Sequence, residues 1–317
     1  MRICCTGGNG MIGKNIQELI PDYNEHEFIF LNRSLNNENS VDLTDRLEVI
    51  SYFEKNLFDY IIHLAADVGG LFKNLNGNAS MFSNNIKINE NILEACKENN
   101  IRRGIFVLSS CIFPNSPSIF PMNETMIHES PPHYSNEGYA YSKRMLHMQC
   151  QQYNNTFNTE FICLVPVNLY GPYDNFNPKN SHLLPGLMHR FHNNKLNNEQ
   201  MIAYGTGKPL RQMLYSVDFA KIICNILFDK MIKTDTIICC NNEEFEINDI
   251  VKTLTTVMDV KYNDIHWDSN MSDGCMKKTV DSSKFKLQYP NFKFTSFNDG
   301  IQNTYNWYKS NIKTIRV

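Results

Sequence analysis

The sequence has no surplus charge of either sign, no closely paired metal-type cysteines and no long apolar run, and each absence removes a class of function. Its 317 residues carry 30 Lys and Arg against 33 Asp and Glu, a formal net charge of -3. A chain so balanced has no general electrostatic drive towards nucleic acid or an anionic membrane surface. No stretch approaches the ~20 apolar residues that a bilayer-spanning helix needs. The N-terminus runs straight into the strand-like Arg2–Thr6, without a separate charged and apolar leader, so a soluble, cytoplasmic protein is expected. There are ten Cys but no C-x-x-C, so zinc spacing is missing. Cys4-Cys5 and Cys239-Cys240 are adjacent within apolar runs, where strand neighbours point to opposite faces and cannot bridge. Internal repeats and a long low-complexity tail are also lacking.

What the chain has instead is alternation. Short apolar runs at Arg2–Thr6, Glu27–Leu31, Tyr60–Leu64, Gly104–Ser109 and Glu160–Val165 read as strands. Helical patterns lie between them at Met11–Leu19, Asp45–Lys55, Ser80–Glu98 and Tyr141–Tyr153. Strand then helix, repeated, predicts an α/β fold with a parallel sheet covered on both faces. From 170 to 210 Gly and Pro loosen the pattern, and helices return at Ser216–Phe228, Ile247–Met258 and Phe297–Ser310. The Asn-rich stretches 36–39, 154–155 and 193–198 read as loops or helix ends. The expected architecture is a Rossmann-type doubly wound domain over 1–167, rejoined by segments near 213–240. Residues 168–317 are expected mainly to form a smaller substrate-binding α/β domain.

Residues 6–13, Thr-Gly-Gly-Asn-Gly-Met-Ile-Gly, follow the first strand and open the first helix. In that context G-x-x-G-x-x-G is a dinucleotide-binding signal. Gly7 permits the tight turn, Gly10 the approach of a pyrophosphate and Gly13 the packing of helix on strand. Gly8, Asn9, Met11 and Ile12 complete the loop, whose amides and helix N-terminus supply the positive end. The second strand ends in Asn32 and Arg33, where an NAD enzyme would carry a carboxylate for the ribose hydroxyl. Arg33 suits a 2′-phosphate instead, so NADP(H) is the expected cofactor. Asp42 is a candidate partner for the adenine amino group. Ala65 and Ala66, small residues ending the third strand, leave room for the cofactor.

Tyr139 and Lys143 are one helical turn apart, and Ser109 ends the fourth strand. A cation beside a phenol lowers its pKa and makes it a usable acid, while the serine holds the same carbonyl oxygen. If the chain stays extended past Ser109, Cys111 points to the same side, towards the nicotinamide edge, where positive charge would lower its pKa. His182 titrates near neutrality and lies in the loop-rich segment. Arg190, Arg211, Lys277 and Lys278 could meet a diphosphate, and Tyr204 could stack on a nucleobase.

The segments TGGNGMIG, HLAADVGGL, SSCIFP, GYAYSK, PVNLYGPYDNFNPKNSHLLPGL, YGTGKPLRQ and SDGCMKK resemble the extended short-chain dehydrogenase/reductases and, within them, the GDP-L-fucose synthases. The resemblance runs nearly end to end. It implies 3,5-epimerisation and NADPH-dependent 4-reduction of GDP-4-keto-6-deoxy-D-mannose. It implies Cys111 as base, His182 as acid, and Ser109, Tyr139 and Lys143 as the reductase trio, with Lys143 also on the nicotinamide ribose. Leu43, Leu108, Pro166, Asn168, Leu169 and His182 are expected along the cofactor. Asn168, Arg190, Tyr204, Arg211, Asp273 and Lys278 are expected around the GDP-sugar. Tyr204 stands where several relatives carry Trp, and Asn9 where some carry a basic residue, which leaves more of the 2′-phosphate to Arg33. A homodimer through the helices near 80–98 and 141–153 is also implied.

Two rivals share the fold. A 4,6-dehydratase calls for an acid pair after the serine, where this chain has Ser110 and Cys111; an NAD-retaining 4-epimerase favours an acid in place of Arg33. A non-catalytic NADP-binding regulator is a third alternative, but such proteins tend to lose the Tyr/Lys pair.

Overall fold

The computed structural model describes residues 1–33, 38–69 and 71–317. Positions 36 and 37 of the Asn-rich stretch expected as a loop, and Gly70 of the HLAADVGGL segment, lie outside the described residues. The first half alternates β1 (Arg2–Thr6), α1 (Met11–Leu19), β2 (Glu27–Leu31), α2 (Arg46–Lys55), β3 (Tyr60–His63), α3 (Leu71–Glu98), β4 (Arg103–Val107), α4 (Glu137–Phe157) and β5 (Glu160–Pro166). The second half runs through β6 (Asn168–Tyr170), α5 (Leu183–Asn197), β7 (Met201–Tyr204), β8 (Leu210–Arg211), β9 (Met213–Tyr215), α6 (Ser216–Phe228) and β10 (Asp235–Cys239). It ends with β11 (Phe245–Glu246), α7 (Ile247–Val257), β12 (Ile265–Asp268), α8 (Ser283–Gln288) and α9 (Phe297–Asn311).

Six of these strands form one sheet, in the order β10-β5-β4-β3-β1-β2, and every pairing is parallel. The runs are apolar on both faces because both faces are covered: Ile3, Cys4, Cys5, Ile61, Ile62, Ile105, Phe106, Ile162 and Leu164 are fully buried. Each such Ile, Leu or Phe contributes roughly 1.5–3 kcal/mol over exposure. The order reverses between β1 and its neighbours β2 and β3, so a crevice opens beyond the carboxyl ends of β1 and β3, where open α/β sheets bind ligands. Residues of α6, β10 and α8 belong to this sheet core, whereas Tyr170, Phe176, Leu184, Phe191, Ile250, Leu254 and Tyr308 form a second apolar cluster.

Two helices begin earlier or exist where the sequence suggested otherwise. α3 starts at Leu71, not at Ser80. Asn78 and Gly77 look like loop residues, but tertiary contact holds them in the helix: Gly138 N donates to Asn78 Oδ1 at 3.1 Å. A Cβ on Gly138 would lie 2.3 Å from the Asn78 carbonyl oxygen, so only Gly permits the approach of α3 and α4. α5 occupies part of the segment expected to be loop-rich. Pro185 in its first turn removes no hydrogen bond the helix needs.

Candidate active site

One side of the crevice is made by the turn after β1. Gly7 has φ of 74°, and a Cβ there would lie 2.9 Å from the Ala65 amide nitrogen. A Cβ on Gly13 would lie 2.6 Å from the carbonyl oxygens of Gly7 and Gly8. Gly10 caps α1 with no side chain, which leaves the positive end of the helix open. Gly8 faces the other way: its N–H donates to Leu31 O at 3.1 Å and it packs on Phe30. Asn32 Oδ1 accepts from Asn9 N–H, tying the loop to the end of β2. Arg33 is exposed beside it. Asp42 is kept ionised below the usual carboxylate range, chiefly by the Thr44 N–H at 2.9 Å and hydroxyl at 2.8 Å, with a smaller pull from Arg33.

The chain does not stay extended past Ser109. Ser109 is extended, but Ser110–Ile112 form a tight helical turn, and Ser109 Oγ accepts from Cys111 N–H at 3.4 Å. Cys111 therefore reaches the crevice by a turn, not by strand alternation, and is 5% exposed. Its thiol is pushed above its ordinary value by burial, against opposing pulls led by Lys278 and including Ser109 and Lys143. Tyr139, on the first turn of α4, is likewise raised, by burial and then by Cys111, and not lowered as the tyrosine–lysine spacing suggested. The reason is geometric. Lys143 Nζ donates to Val107 O at 2.8 Å and stands 5.9 Å from the Tyr139 ring centre, so burial dominates the phenol. The lysine's own pKa is lowered to about 8 by that burial.

A buried relay sets this stretch of α4. Asn89 Nδ2 donates to Ser142 O at 3.4 Å, and Asn89 Oδ1 faces His63 Nε2 at 3.1 Å. His63 Nδ1 meets Thr6 Oγ1 at 2.9 Å, and that hydroxyl accepts from Leu64 and Ala65 N–H. Burial, then Lys143, pushes His63 down to about 3, so its imidazole stays neutral. The end of β1, the end of β3 and the residue before Lys143 are thus one hydrogen-bonded unit.

His182 caps the N-terminus of α5 without a side-chain capping bond. It is open to solvent in the crevice wall, although the protein around it lowers its pKa. On the far side Arg190 lies 4.0 Å over the Tyr204 ring and donates to Ile202 O. Arg211 donates to Leu210 O and Cys275 O, both at 2.8 Å. The Asp273 carboxylate accepts from Thr206 N–H at 2.7 Å and Thr206 hydroxyl at 2.8 Å, binding its loop to Gly205 and Thr206. Asn168 Nδ2 donates to Gln212 O at 2.8 Å.

One continuous cleft of about 1360 Å³ gathers these groups. Gly7, Asn9, Gly10, Met11, Ile12, Gly13, Asn32, Arg33, Asp42, Leu43, Ala65, Ala66 and Leu108 line one end. Ser109, Cys111, Tyr139, Pro166, Asn168, Leu169 and His182 line the middle, and Arg190, Tyr204, Arg211, Asp273 and Lys278 the other end. Gly8 and Lys143 are not among the residues that line it. Among the described residues no group of three or more His, Cys, Asp or Glu converges as a metal site, and no helix is long and apolar enough to cross a membrane.

The model of the NAD dependent epimerase/dehydratase family matches residues 3–237. A GDP-L-fucose synthase of Dictyostelium discoideum is 38% identical, over 99% of this chain and 97% of that one. A probable GDP-L-fucose synthase of Drosophila melanogaster is 33% identical, over 99% of each chain. The chain belongs to the NAD dependent epimerase/dehydratase family and, within it, to the GDP-L-fucose synthases. A crystal structure of a GDP-L-fucose synthetase from Naegleria fowleri, bound to NADP, superposes with a TM-score of 0.91 at 36% identity, covering 100% of this chain and 95% of that one.

The cleft of this family member also contains residues that motif reading missed. His133, Ser135 and Asn136, just before α4, line it, and so do Asp174 and Arg316. Asp174 is buried, with Oδ2 lacking a partner among the described residues, and burial raises its pKa to about 7 against pulls from the Asn175 N–H and then Arg316. Arg316 clips this wall: Nη2 donates to Tyr173 O at 2.6 Å, and its own carbonyl accepts from Phe176 N–H at 2.8 Å. The Asp174 signal lay within the GPYDNF stretch; nothing local marks Arg316.

Proposed function

We propose that this chain converts GDP-4-keto-6-deoxy-D-mannose to GDP-L-fucose by inverting C3 and C5 and reducing the C4 ketone, with NADP(H) as cofactor. The observation that carries the reading is the single cleft in which a dinucleotide loop, a Ser/Tyr/Cys/His set and a cluster of cations follow one another. The volume, about 1360 Å³, exceeds the roughly 300–1,000 Å³ of an ordinary small-ligand pocket and suits two nucleotides.

The residues present fit the cofactor. Gly7 and Gly13 keep the backbone where any Cβ would collide, α1 presents an uncapped positive end, and neutral Asn32 beside Arg33 tolerates a phosphate. NADPH, when bound, supplies the hydride for the C4 ketone. Ser109 and Tyr139 hydrogen-bond the ketone oxygen, and the phenol, protonated at neutral pH, donates its proton to that oxygen. During epimerisation the same pair stabilises the enolate oxygen while Cys111 removes a proton from carbon and His182 returns one from the opposite face. Lys278 and Lys143 favour the thiolate this requires. Because Lys143 is held at about 8, its ammonium is lost above that pH, and kcat is expected to fall about tenfold per pH unit there. A pH–rate profile with no limb between 7 and 9 would argue against a charged Lys143 in the reaction.

Arg190, Arg211 and Lys278 hold the diphosphate end, Tyr204 the base, and Asn168 and Asp273 shape the pocket between. Residues 1–167 with 213–240 serve the cofactor, and the remainder mainly the substrate. Phe82 on α3 and Tyr141, Met145 and Met148 on α4 are exposed apolar side chains, which supports a homodimer through these helices. The free cysteines suit a reducing compartment, in keeping with the cytoplasm. The direct test is incubation with NADPH and GDP-4-keto-6-deoxy-D-mannose in D2O. NMR should show GDP-L-fucose with deuterium at C3 and C5; a product of unchanged configuration at both carbons would refute the epimerase part.

A further inference from the structure

The segment before α4 is pinned against the Cys111 turn. Arg144 donates to Ile112 O from Nε and to Ser130 O from Nη2, each at 2.7 Å. Asn115 N–H donates to Pro131 O at 3.0 Å. His133 therefore has a fixed place in the cleft wall, and its ring stacks on Tyr134 with centres 4.6 Å apart. Its tautomer is fixed as well. His133 Nδ1 accepts from Ser135 N–H at 3.2 Å and faces Ser135 Oγ at 2.8 Å. An N–H can only donate, so in the neutral ring the proton is on Nε2. Nε2 has no protein partner among the described residues. Beyond burial, the groups that depress protonation of this ring are Lys278 and then Arg211, and Lys278 also acts on Cys111. The imidazole thus lines the same cleft as Cys111, Lys278 and Arg211, with a donor edge unused.

We propose that His133 is a third donor to the diphosphate of the nucleotide sugar, working beside Arg211 and Lys278; this rests on the reading of the cleft given above. An acceptor-only anion is the partner that a lone N–H sharing a cleft with two cations fits. Bound there, the diphosphate brings its sugar to Cys111, and the Arg144 pins keep thiol and phosphate donor in register.

The test uses the intact protein and His133→Asn, whose short side chain still caps the turn through Oδ1 but does not extend to the position of Nε2. Calorimetry with GDP, guanosine and NADP⁺ reads three affinities. The variant is expected to bind GDP about tenfold more weakly, the size of one charged hydrogen bond, with guanosine and NADP⁺ unchanged. Equal GDP affinity, or an equal loss for guanosine, overturns the proposal. A wild-type protein that prefers guanosine to GDP would instead sink the underlying reading of the cleft. Independently of any variant, the His133 ring proton resonances of the wild type should move on adding GDP and not on adding guanosine; immobility with GDP bound also overturns it.

Discussion

The two ends of the cleft are built from different materials. At the cofactor end the wall is backbone: Gly7, Gly10 and Gly13 act by having no side chain, and Asn32 acts by holding an amide of the loop. At the substrate end the wall is long side chains, Arg190 on α5, Arg211 on β8 and Lys278 on a loop, beside segments that distant residues hold in place, as Asp273 holds Thr206 and Arg316 holds Tyr173. A backbone site is specified by a few consecutive residues. A side-chain site is specified by positions from 133 to 316 that only folding brings together.

That contrast can be broken first at the junction. Tyr139→Phe should lower NADPH oxidation by about 10²–10⁴-fold while both ends keep their ligands; unchanged turnover would remove the phenol from the chemistry. Gly7→Val should then separate the ends. Its strained backbone and the clash with Ala65 are expected to cost roughly 1–3 kcal/mol and to abolish NADPH binding, yet GDP binding in the folded fraction should persist. A parallel loss of GDP affinity would show the two walls to be one unit.

Asp174→Asn probes a buried carboxyl of the cleft wall. A carboxyl raised from 3.8 to about 7 favours the folded state when protonated, so that benefit fades as pH climbs through this window. The amide should stabilise by on the order of 2 kcal/mol at pH 8, after its own unmet hydrogen bond, and by less at pH 5. Denaturant melts at both pH values decide it; a gain independent of pH would mean the carboxyl is already ionised at little cost. The smallest effect belongs to Arg33→Ala, which should reduce the preference for NADPH over NADH about tenfold through lost phosphate contact. An unaltered ratio would place recognition of the phosphate elsewhere in the loop.

How much was legible follows the same division. The bounds of β1, α1 and β2 agree with the sequence reading to the residue, because apolar runs and glycine spacing are local signals. The sequence pattern shortens the long α3, because Gly77 and Asn78 resemble loop residues until Gly138 packs on Asn78. α5 was hidden by Pro185 and Gly186, which a first helical turn accepts. Cys111 was placed in the site for a reason that fails, since strand alternation ends at Ser109 and a turn delivers the thiol. The Tyr139–Lys143 spacing was read correctly as one turn, but the expected tuning of the phenol overlooked that Val107 O takes the ammonium. His133 and Arg316 carry no motif, and only tertiary structure brings them to the cleft.

The Arg316 clip joins residues 143 positions apart in sequence. Contacts of such separation carry a large loop-closure entropy and tend to form after local ones. During refolding, then, helical circular dichroism should recover while the Tyr173–Phe176 side of the cleft is still loose, and catalytic competence should lag behind it by the time needed for that distant segment to dock.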